Sequence, residues 1–232
     1  SFMIDNEVIV RNPLARIKSL REEKSEEVCA LSSQEVQILL SKTKQVYPDF
    51  YPLLFTAIFT GLRQGELMAL TWDSINWVKR QITVDKNYTH GRLGTPKTGK
   101  IRKVDMSLEL VKVLKEWRLA CPKGEKNLLF PNGEGEYQDA NNMIKRRYKP
   151  ALNRAGINYI KFHGLRHTYA SLLLANGVPM KYVQHQLGHS SIKMTMDLYT
   201  HLLPETNEQC VNALDNIVEK TREPIEIRKF GT

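Results

Sequence analysis

The stretch LGHSSIKMTMDLYTH, residues 187–201, places a histidine ten positions before a tyrosine, late in a basic chain. A tyrosine hydroxyl such as that of Tyr199 can attack a phosphodiester when cations neutralise the phosphate and a donor protonates the leaving oxygen. At helical spacing, however, a tyrosine is more often a core residue than a nucleophile. His189 and Tyr199 therefore become informative only if the rest of the chain supplies those cations and that donor.

The composition favours a globular protein that binds a polyanion. The chain has 232 residues, of which 41% are hydrophobic, enough for one large or two small domains. Its formal net charge of +9 favours nucleic acid first and an anionic membrane surface second. No apolar run approaches the roughly 20 residues of a membrane-spanning helix, and no signal peptide is evident. We therefore expect a cytoplasmic protein with no membrane partner.

Neither a metal nor a nucleotide cofactor is expected. Cys29, Cys121 and Cys210 are far apart and have no zinc-ligand spacing, so three reduced thiols are the simplest interpretation. The sequence contains no DxD cluster and no HExxH motif, which argues against two-metal nuclease chemistry. It also lacks a Walker A motif, which argues against the use of ATP.

Helical patterns dominate the chain. A serine cap and an acidic first turn at residues 31–35 predict the first helix. The apolar residues 51–60 predict a buried helix that ends at Gly61, and a short helix is predicted over residues 64–70. Further helices are predicted near residues 108–119, 138–154, 164–175, 179–186, 191–198 and 205–220.

Two short segments carry the alternation of β-branched residues that predicts strands. They are QITV, residues 81–84, and IRKV, residues 101–104, and glycines and a proline lie between them. This arrangement predicts a hairpin with a mobile, basic tip. The sequence as a whole therefore predicts a mainly helical domain with one small sheet near its middle.

A glycine-flanked arginine is the first candidate for binding an anion. In TGLRQGEL, residues 60–67, Arg63 lies at the junction of the buried helix and the short helix. A guanidinium held rigidly there can bind an anion through two hydrogen bonds. The alternative is a structural arginine that pairs with Glu66, and this alternative is favoured for the motif taken alone.

A histidine and an arginine in FHGLRHT, residues 162–168, form the second candidate. His163 and Arg166 are three positions apart, which places both on one face of a helix. A histidine beside a phosphate-binding arginine can accept or relay a proton near neutral pH. The alternative is a capping histidine with a surface arginine. His167 is expected to point to a different face, and both it and His201 are interpreted as structural.

Two basic segments offer further contacts to phosphate. PKTGKIRK, residues 96–103, lies in the predicted hairpin, where a lysine can reach a leaving 5′ oxygen if its pKa is shifted. The alternative is that these lysines only contact phosphates. KRRYK, residues 145–149, is a basic helical segment with an aromatic residue, which suits a DNA backbone, although a solvated helix face is an equally good interpretation.

Together these segments resemble the tyrosine recombinase family, the integrases of phages and conjugative transposons. In the family's order, the matching segments are TGLRQGEL around Arg63, PKTGK around Lys97, HGLRHTYAS around His163 and Arg166, LGHSS around His189, and MDLYTH around Tyr199. They cover most of the chain, from about Leu31 to Leu203. Each segment alone is modest, but the ordered set is highly specific.

The resemblance implies an α+β, mainly α-helical catalytic domain with a small antiparallel β-sheet. It also implies that this domain recombines DNA at specific sites without metal or ATP. It implies that Tyr199 is the nucleophile and forms a 3′-phosphotyrosyl bond. It also implies that Arg63 and Arg166 bind the non-bridging oxygens of the scissile phosphate. Preorganised cations stabilise the charge that develops on a pentavalent phosphorane.

The same resemblance assigns the proton transfers. Lys97 is implied as the general acid for the 5′-hydroxyl, with Lys100 and Lys103 as nearby alternatives. His163 is implied as the assisting base, and His189 is implied as a hydrogen-bond donor to the phosphate. A covalent intermediate conserves the energy of the phosphodiester bond, so rejoining needs no ATP.

The resemblance also implies a domain organisation and partners. Residues 1–27 correspond to the end of a truncated core-binding domain plus a linker, residues 28–203 to the catalytic domain, and residues 204–232 to a C-terminal helix and tail. This tail either docks on a neighbouring protomer or folds back on its own domain. The implied partners are double-stranded DNA, further copies of the chain in a tetramer on DNA, and an accessory excision factor.

Two other functions remain open from the sequence. A type IB topoisomerase uses similar chemistry but relaxes supercoils without a partner site. The short linker and the LGHSS segment favour an integrase over this alternative. The third hypothesis is a catalytically silent DNA-binding module, against which the complete set of six candidate residues argues.

Overall fold

The computed structural model describes residues 30–96, 99–189, 191 and 196. Over these residues the chain is mainly helical, with a three-stranded antiparallel sheet and a separate two-stranded hairpin. The predicted α+β, mainly α-helical class is therefore confirmed. In the part of the chain so described, no helix has both the length and the apolar character needed to cross a membrane.

Helix α1, Ser33–Val46, begins at the predicted serine cap. The Ser32 hydroxyl accepts a hydrogen bond from the Glu35 amide at 3.2 Å, and the Glu35 carboxylate accepts one from the Ser32 amide at 2.8 Å. Each side chain thus satisfies an amide that the helix leaves unbonded. Val36 and Leu39 face the core from this helix.

Helix α2, Tyr51–Thr60, runs through the core, and eight of its ten residues are buried, as its apolar sequence predicts. It ends at Gly61, whose φ of 61° lies in the left-handed region that glycine adopts without a steric penalty. Helix α3, Gln64–Ala69, follows and is one residue shorter than predicted. The turn between these helices carries Arg63.

The three-stranded sheet consists of β1 Ile75–Asn76, β2 Gln81–Val84 and β5 Arg102–Asp105, in the order β1-β2-β5. Strands β2 and β5 are antiparallel, with Ile82 opposite Val104. The predicted pairing is confirmed, although β5 begins one residue later than predicted. Both paired side chains are fully buried, so this face of the sheet packs on the core.

In its described residues, the connection from β2 to β5 has secondary structure that the sequence did not predict. It contains a second hairpin of β3 Asn87–Thr89 and β4 Arg92–Gly94. His90 and Gly91 have φ values of 51° and 73°, and a tight two-residue hairpin turn requires positive φ at both central positions. The sequence did not predict these strands, because they are only three residues long and β4 ends in glycine.

A short 3₁₀ helix, Trp72–Ser74, precedes β1, and the remaining helices follow β5 in the chain. They are α4 Leu108–Ala120, α5 Ala140–Met143, a π-helical segment Ile144–Tyr148, α6 Lys149–Arg154, α7 Gly164–Ala175 and α8 Met180–Leu187. The continuous run from α5 to α6 matches the helix predicted over residues 138–154. The helices predicted near residues 191–198 and 205–220 fall outside the described residues, apart from residues 191 and 196.

Helices α7 and α8 pack on each other through a small apolar cluster of their own. Tyr169, Ala170 and Leu174 of α7 meet Val183 and Leu187 of α8 in this cluster. Gly61 lies against it, since a Cβ atom at Gly61 would come within 2.7 Å of both Tyr169 and Leu187 side-chain atoms. The ends of α2 and α8 are therefore close together, near the beginning of α7.

Candidate active site

Arg166, in the first turn of α7, joins the ends of two other helices. Its Nη1 donates to the carbonyl oxygen of Gly61 at 2.7 Å, and its Nη2 donates to that of Leu187 at 2.5 Å. The residue is 3% exposed, so the alternative of a surface arginine is wrong. Within the part of the chain that the structure describes, these bonds use two of its five N–H groups, and the other three can serve a ligand. Arg166 is thus held rigidly while its donor capacity is only partly consumed.

Arg63 is held at the start of α3 by Glu66. Its backbone amide donates to Glu66 Oε2 at 2.8 Å, and its Nη1 donates to Glu66 Oε1 at 3.0 Å. The pairing with Glu66 that the motif alone favours therefore exists. It uses one terminal nitrogen of the guanidinium, and the Arg63 side chain stays 20% exposed. Pairing and anion binding are compatible at this arginine.

Arg102, on β5, is a buried arginine that sequence reasoning missed. Its Nη1 and Nη2 donate to the two carboxylate oxygens of Glu66, at 2.8 and 2.7 Å. Its Nε donates to the carbonyl oxygen of Gln186 at 3.1 Å. A signal was present in the alternation of β5, which places Arg102 on the same buried face as Val104. An arginine on that face requires a buried anionic partner.

Glu66 is the carboxylate that two of the three arginines share. It is 1% exposed. Burial by itself raises the pKa of Glu66, but the hydrogen bonds and positive charges of Arg102 and then Arg63 hold it below its ordinary value. Glu66 is therefore ionised at neutral pH and acts as a fixed negative charge between the two guanidinium groups.

The three arginines form a cluster of positive charge in the described part of the chain. Burial, and after it repulsion from Arg63 and Arg102, lowers the pKa of Arg166 to about 9, while the charge of Glu66 opposes the shift. Arg166 therefore remains charged at neutral pH, beside the two arginines that share Glu66. Such a cluster of fixed cations is suited to an anion that gains further negative charge during a reaction.

His163 occupies the position immediately before α7, and His167 lies one turn further on. Their ring centroids are 5.0 Å apart and the rings are nearly perpendicular, at 88°. The prediction that His167 points away from His163 is therefore wrong. Residues four positions apart share a helix face, and this spacing was overlooked for this pair.

His189 follows the C-terminal end of α8 and completes the group. Burial lowers the pKa of His189 to about 4, together with the positive charges of Arg166 and Arg63 and the neighbouring His167 and His163. The structure thus brings together four of the six predicted site residues. A histidine with so low a pKa is neutral at pH 7 and can donate a hydrogen bond without carrying charge.

Two of the six predicted site residues, Lys97 and Tyr199, lie outside the described residues. Their roles remain predictions. Lys100 and Lys103 are described, and both are exposed on the segment that leads into and along β5. They remain alternatives to Lys97 as the proton donor.

Close packing fixes the hairpin of β3 and β4, which leads to Lys97. A Cβ atom at Gly65 would lie 2.2 Å from Asn87 Oδ1 and 2.9 Å from the carbonyl oxygen of Tyr88. On its other side the ring of Tyr88 stacks on that of Tyr137, with centroids 4.0 Å apart and planes 12° apart. The hairpin is therefore anchored beside α3, which begins immediately after Arg63.

The basic segment at residues 145–149 is only partly available for DNA. Lys145 and Arg146 are exposed, but Tyr148 is fully buried, so the expectation of an accessible aromatic residue there is wrong. Arg147 pairs with Asp49 at 2.8 Å. Tyr148 projects inward because it lies on the helix face that packs on the core, where it contacts the ring of Phe162 edge-on.

Residues 21–206 match the model of the phage integrase family, and the chain therefore belongs to this family. A tyrosine recombinase XerC-like protein of Caldanaerobacter subterraneus is 33% identical over 94% of this chain and 63% of its own length. The ICEBs1 integrase of Bacillus subtilis is 29% identical over 93% of this chain and 61% of its own length. The chain thus spans less than two thirds of the length of these relatives.

Solved structures agree with the fold. The Tn1549 transposon integrase in complex with a circular intermediate DNA superposes with a TM-score of 0.71 at 23% identity, covering 93% of this chain and 74% of that one. The catalytic domain of the bacteriophage HP1 integrase gives a TM-score of 0.56 at 26% identity, covering 79% of this chain and 94% of that one. In the described residues, no three His, Cys, Asp or Glu side chains are grouped to bind a metal.

Proposed function

We propose that this chain carries the catalytic part of a site-specific DNA recombinase, an integrase that cleaves and rejoins DNA through a 3′-phosphotyrosyl intermediate. The observation that carries the proposal is that Arg63, Arg166, His163 and His189 lie close enough together to interact electrostatically. A phosphodiester is the anion that a strongly basic chain of this family is suited to bind.

The cleavage step is a transfer of phosphorus from one oxygen to another. The hydroxyl oxygen of Tyr199 attacks phosphorus and passes its proton to His163, while the bond from phosphorus to the 5′ oxygen breaks. Lys97 protonates that leaving oxygen. Rejoining is the reverse, so neither metal nor ATP is required.

The arginines and His189 stabilise the charge that builds up in this step. Arg166 and Arg63 bind the non-bridging oxygens, which gain negative charge in the pentavalent transition state. His189 is neutral near pH 7 and donates a hydrogen bond to the same phosphate. The rigid attachment of Arg166 to Gly61 and Leu187 supports this assignment, because preorganised donors need no rearrangement during the reaction.

The proposed partners are double-stranded DNA, further copies of this chain in a tetramer on DNA, and an accessory excision factor. The exposed Lys145 and Arg146 are proposed backbone contacts. Within this proposal, residues 1–27 belong to a preceding core-binding domain and linker, residues 28–203 to the catalytic domain, and residues 204–232 to a tail that docks on a neighbour or on its own domain. The protein is proposed to act in the cytoplasm on a mobile element or prophage.

A covalent-adduct assay with randomised DNA tests this function and identifies the target at the same time. The chain is incubated with a pool of nicked duplexes of randomised sequence, in EDTA, and the DNA that stays bound to protein under denaturing conditions is recovered and sequenced. The expected result is an adduct whose recovered DNA shares a sequence, and none with Tyr199→Phe. An adduct that persists with Tyr199→Phe, or that requires added metal, contradicts the proposal.

A second measurement distinguishes an integrase from a type IB topoisomerase. The recovered duplex is cloned into a supercoiled plasmid, and relaxation is compared with a plasmid that lacks it. An integrase is expected to act only on the plasmid that carries the recovered sequence. Equal relaxation of both plasmids favours the topoisomerase.

A further inference from the structure

We infer that Arg102 is a positioning residue for DNA cleavage, which keeps the positive charge of Arg63 available for the scissile phosphate. The inference rests on the proposed function and extends it to a residue outside the six predicted site residues. Arg102 acts through Glu66 on one side and through the end of α8 on the other.

The first contact is with Glu66, whose carboxylate accepts four hydrogen bonds. Oε1 accepts from Arg63 Nη1 and Arg102 Nη1, at 3.0 and 2.8 Å, while Oε2 accepts from the Arg63 amide and Arg102 Nη2, at 2.8 and 2.7 Å. A carboxylate has about four acceptor positions, so Glu66 is saturated. Two of the four come from Arg102, in the two-pronged geometry that only arginine provides.

Saturation of Glu66 decides how strongly it holds Arg63. With Arg102 present, Glu66 accepts a hydrogen bond from only one terminal nitrogen of Arg63. The positive charge of Arg102 balances the negative charge of Glu66. Without Arg102, both carboxylate oxygens have open positions in a buried site, where an unbalanced charge is costly. Arg63 is then the nearest cation that can fill them with both terminal nitrogens. Its charge would be neutralised by Glu66 and withdrawn from the phosphate.

The second contact is with the segment that carries His189. Arg102 Nε donates to the Gln186 carbonyl oxygen at 3.1 Å. Gly188 lies directly against the same side chain, since a Cβ atom there would be 2.7 Å from Arg102 Cδ and 3.0 Å from Nε. Gly188 is the residue immediately before His189. One buried side chain therefore fixes the distance between the segment that holds Arg63 and the segment that holds His189.

Arg102 is not placed to bind DNA itself. All three of its guanidinium nitrogens already donate to Glu66 or to Gln186, whereas Arg166 donates through two of its three nitrogens to other described residues. Removal of Arg102 should therefore slow the chemical step and leave DNA affinity nearly unchanged. Withdrawal of Arg63 is expected to cost little affinity, because the phosphate oxygens gain negative charge in the transition state and not on binding.

The test compares Arg102→Met, Glu66→Gln and the double variant, using the duplex recovered from the adduct pool. Single-turnover adduct formation and the Kd for DNA are measured for each, with thermal unfolding as a check on folding. Arg102→Met is expected to form adduct about 100-fold more slowly, the size of effect seen when one transition-state donor is lost, with a Kd within about threefold of the unaltered chain. Lys112→Met is the matched control, because Lys112 also pairs with a glutamate but is exposed.

The double variant distinguishes positioning from a general structural role. Glu66→Gln removes the charge that would otherwise capture Arg63, so the double variant is expected to form adduct at least about tenfold faster than Arg102→Met alone. A purely structural arginine predicts a double variant that is equal or slower, and that result overturns the inference.

A third variant covers a failure of Arg102→Met to fold. Arg102→Lys keeps the charge but not the contact with the Gln186 carbonyl oxygen, so a roughly tenfold slower reaction with unchanged Kd is expected. A normal rate for Arg102→Met, or for Arg102→Lys where Arg102→Met does not fold, overturns the inference while the proposed function stands. If the unaltered chain forms no adduct, the proposed function fails and the inference fails with it.

Discussion

Arg166 and Gly61, which are 105 positions apart in the chain, are joined by a 2.7 Å hydrogen bond from the guanidinium to the backbone carbonyl. The bond brings the segment around Arg63 to the beginning of α7. Gly61 permits this approach because it has a positive φ and because any side chain there would collide with the ring of Tyr169. The backbone conformation at Gly61 thus allows the two arginine motifs to lie together.

Arg166→Lys is expected to abolish most activity although it preserves the charge. A lysine presents one nitrogen and cannot reach the carbonyl oxygens of Gly61 and Leu187 while also serving a phosphate. We expect single-turnover adduct formation to fall by a factor of about 100 or more, equivalent to about 3 kcal/mol or more in the barrier. The exposed Arg118→Lys serves as the control. If Arg166→Lys forms adduct at a rate within tenfold of that of the unaltered chain, the two-pronged geometry of the guanidinium group is unimportant.

Gly188→Ala is expected to destabilise the protein more than Gly177→Ala. Both glycines follow a helix and have positive φ, 65° and 71°, so alanine carries a similar backbone penalty of about 1 kcal/mol or more at either position. Only at Gly188 would the new methyl group collide, with the side chain of Arg102. We expect the free energy of unfolding, measured in urea, to fall by an additional ~1 kcal/mol or more for Gly188→Ala. Equal losses would show that Arg102 moves aside freely.

Gly65→Ala is expected to displace the hairpin of β3 and β4. The carbonyl oxygen of Tyr88, 2.9 Å from where the alanine methyl group would lie, belongs to the backbone and cannot rotate away as a side chain can. We expect a loss of about 1–3 kcal/mol in the free energy of unfolding, together with faster proteolysis within residues 87–94. Gly133→Ala is the control, because nothing lies within 4 Å of a Cβ atom there. Unchanged proteolysis would indicate that the hairpin is held elsewhere.

Local patterns predicted much of the fold. The apolar run of α2 with Gly61 behind it, the serine cap of α1 and the pairing of β2 with β5 depend on neighbouring residues, and all were predicted. The hairpin of β3 and β4 was missed, because its strands are too short for an alternation to emerge. Tyr148 was misjudged, since the basic residues around it obscured the core-facing side of that helix.

Four of the residues that the structure brings together in the candidate site were predicted from the sequence, but the contacts that organise them were not. Arg63, Arg166, His163 and His189 were chosen from motifs, and the structure places them together. The bond between Glu66 and Arg102 spans 36 positions and depends on where β5 lies relative to α3. No local sequence pattern predicts a contact between two residues so far apart in the chain. Only the inward position of Arg102 in a strand indicated that a buried anionic partner was needed.

Substitution of Lys145 and Arg146 by glutamine is expected to weaken DNA binding without changing its sequence preference. Both side chains are exposed, and a cation that contacts a phosphate releases about 0.9 counterions on binding. The slope of log Kobs against log salt concentration should therefore fall in magnitude by about 2. Lys112→Gln with Lys115→Gln, on α4, is a control of equal charge. An unchanged slope would remove this helix from the proposed DNA-binding surface.

The pH dependence of stability provides a measurement of His189 that needs no DNA. The folded protein holds the pKa of His189 at about 4, mainly through burial, whereas the ordinary value is 6.5. Between these values the unfolded chain binds a proton at this histidine that the folded chain does not, so the free energy of unfolding falls as the pH falls. Glu66 has a lowered pKa, so its own effect begins only near its ordinary value of 4.5 and below.

The window between pH 6.5 and pH 4.5 therefore isolates the histidine contribution from that of Glu66. His189→Gln is expected to flatten the dependence there, by less than the ~1.4 kcal/mol per pH unit of one fully coupled proton, because solvent screens a half-buried group. His185→Gln, exposed on α8, should follow the unaltered chain. Urea unfolding at several pH values measures both. Parallel curves for His189→Gln and the unaltered chain would mean that neither burial nor the arginine cluster disfavours protonation of His189.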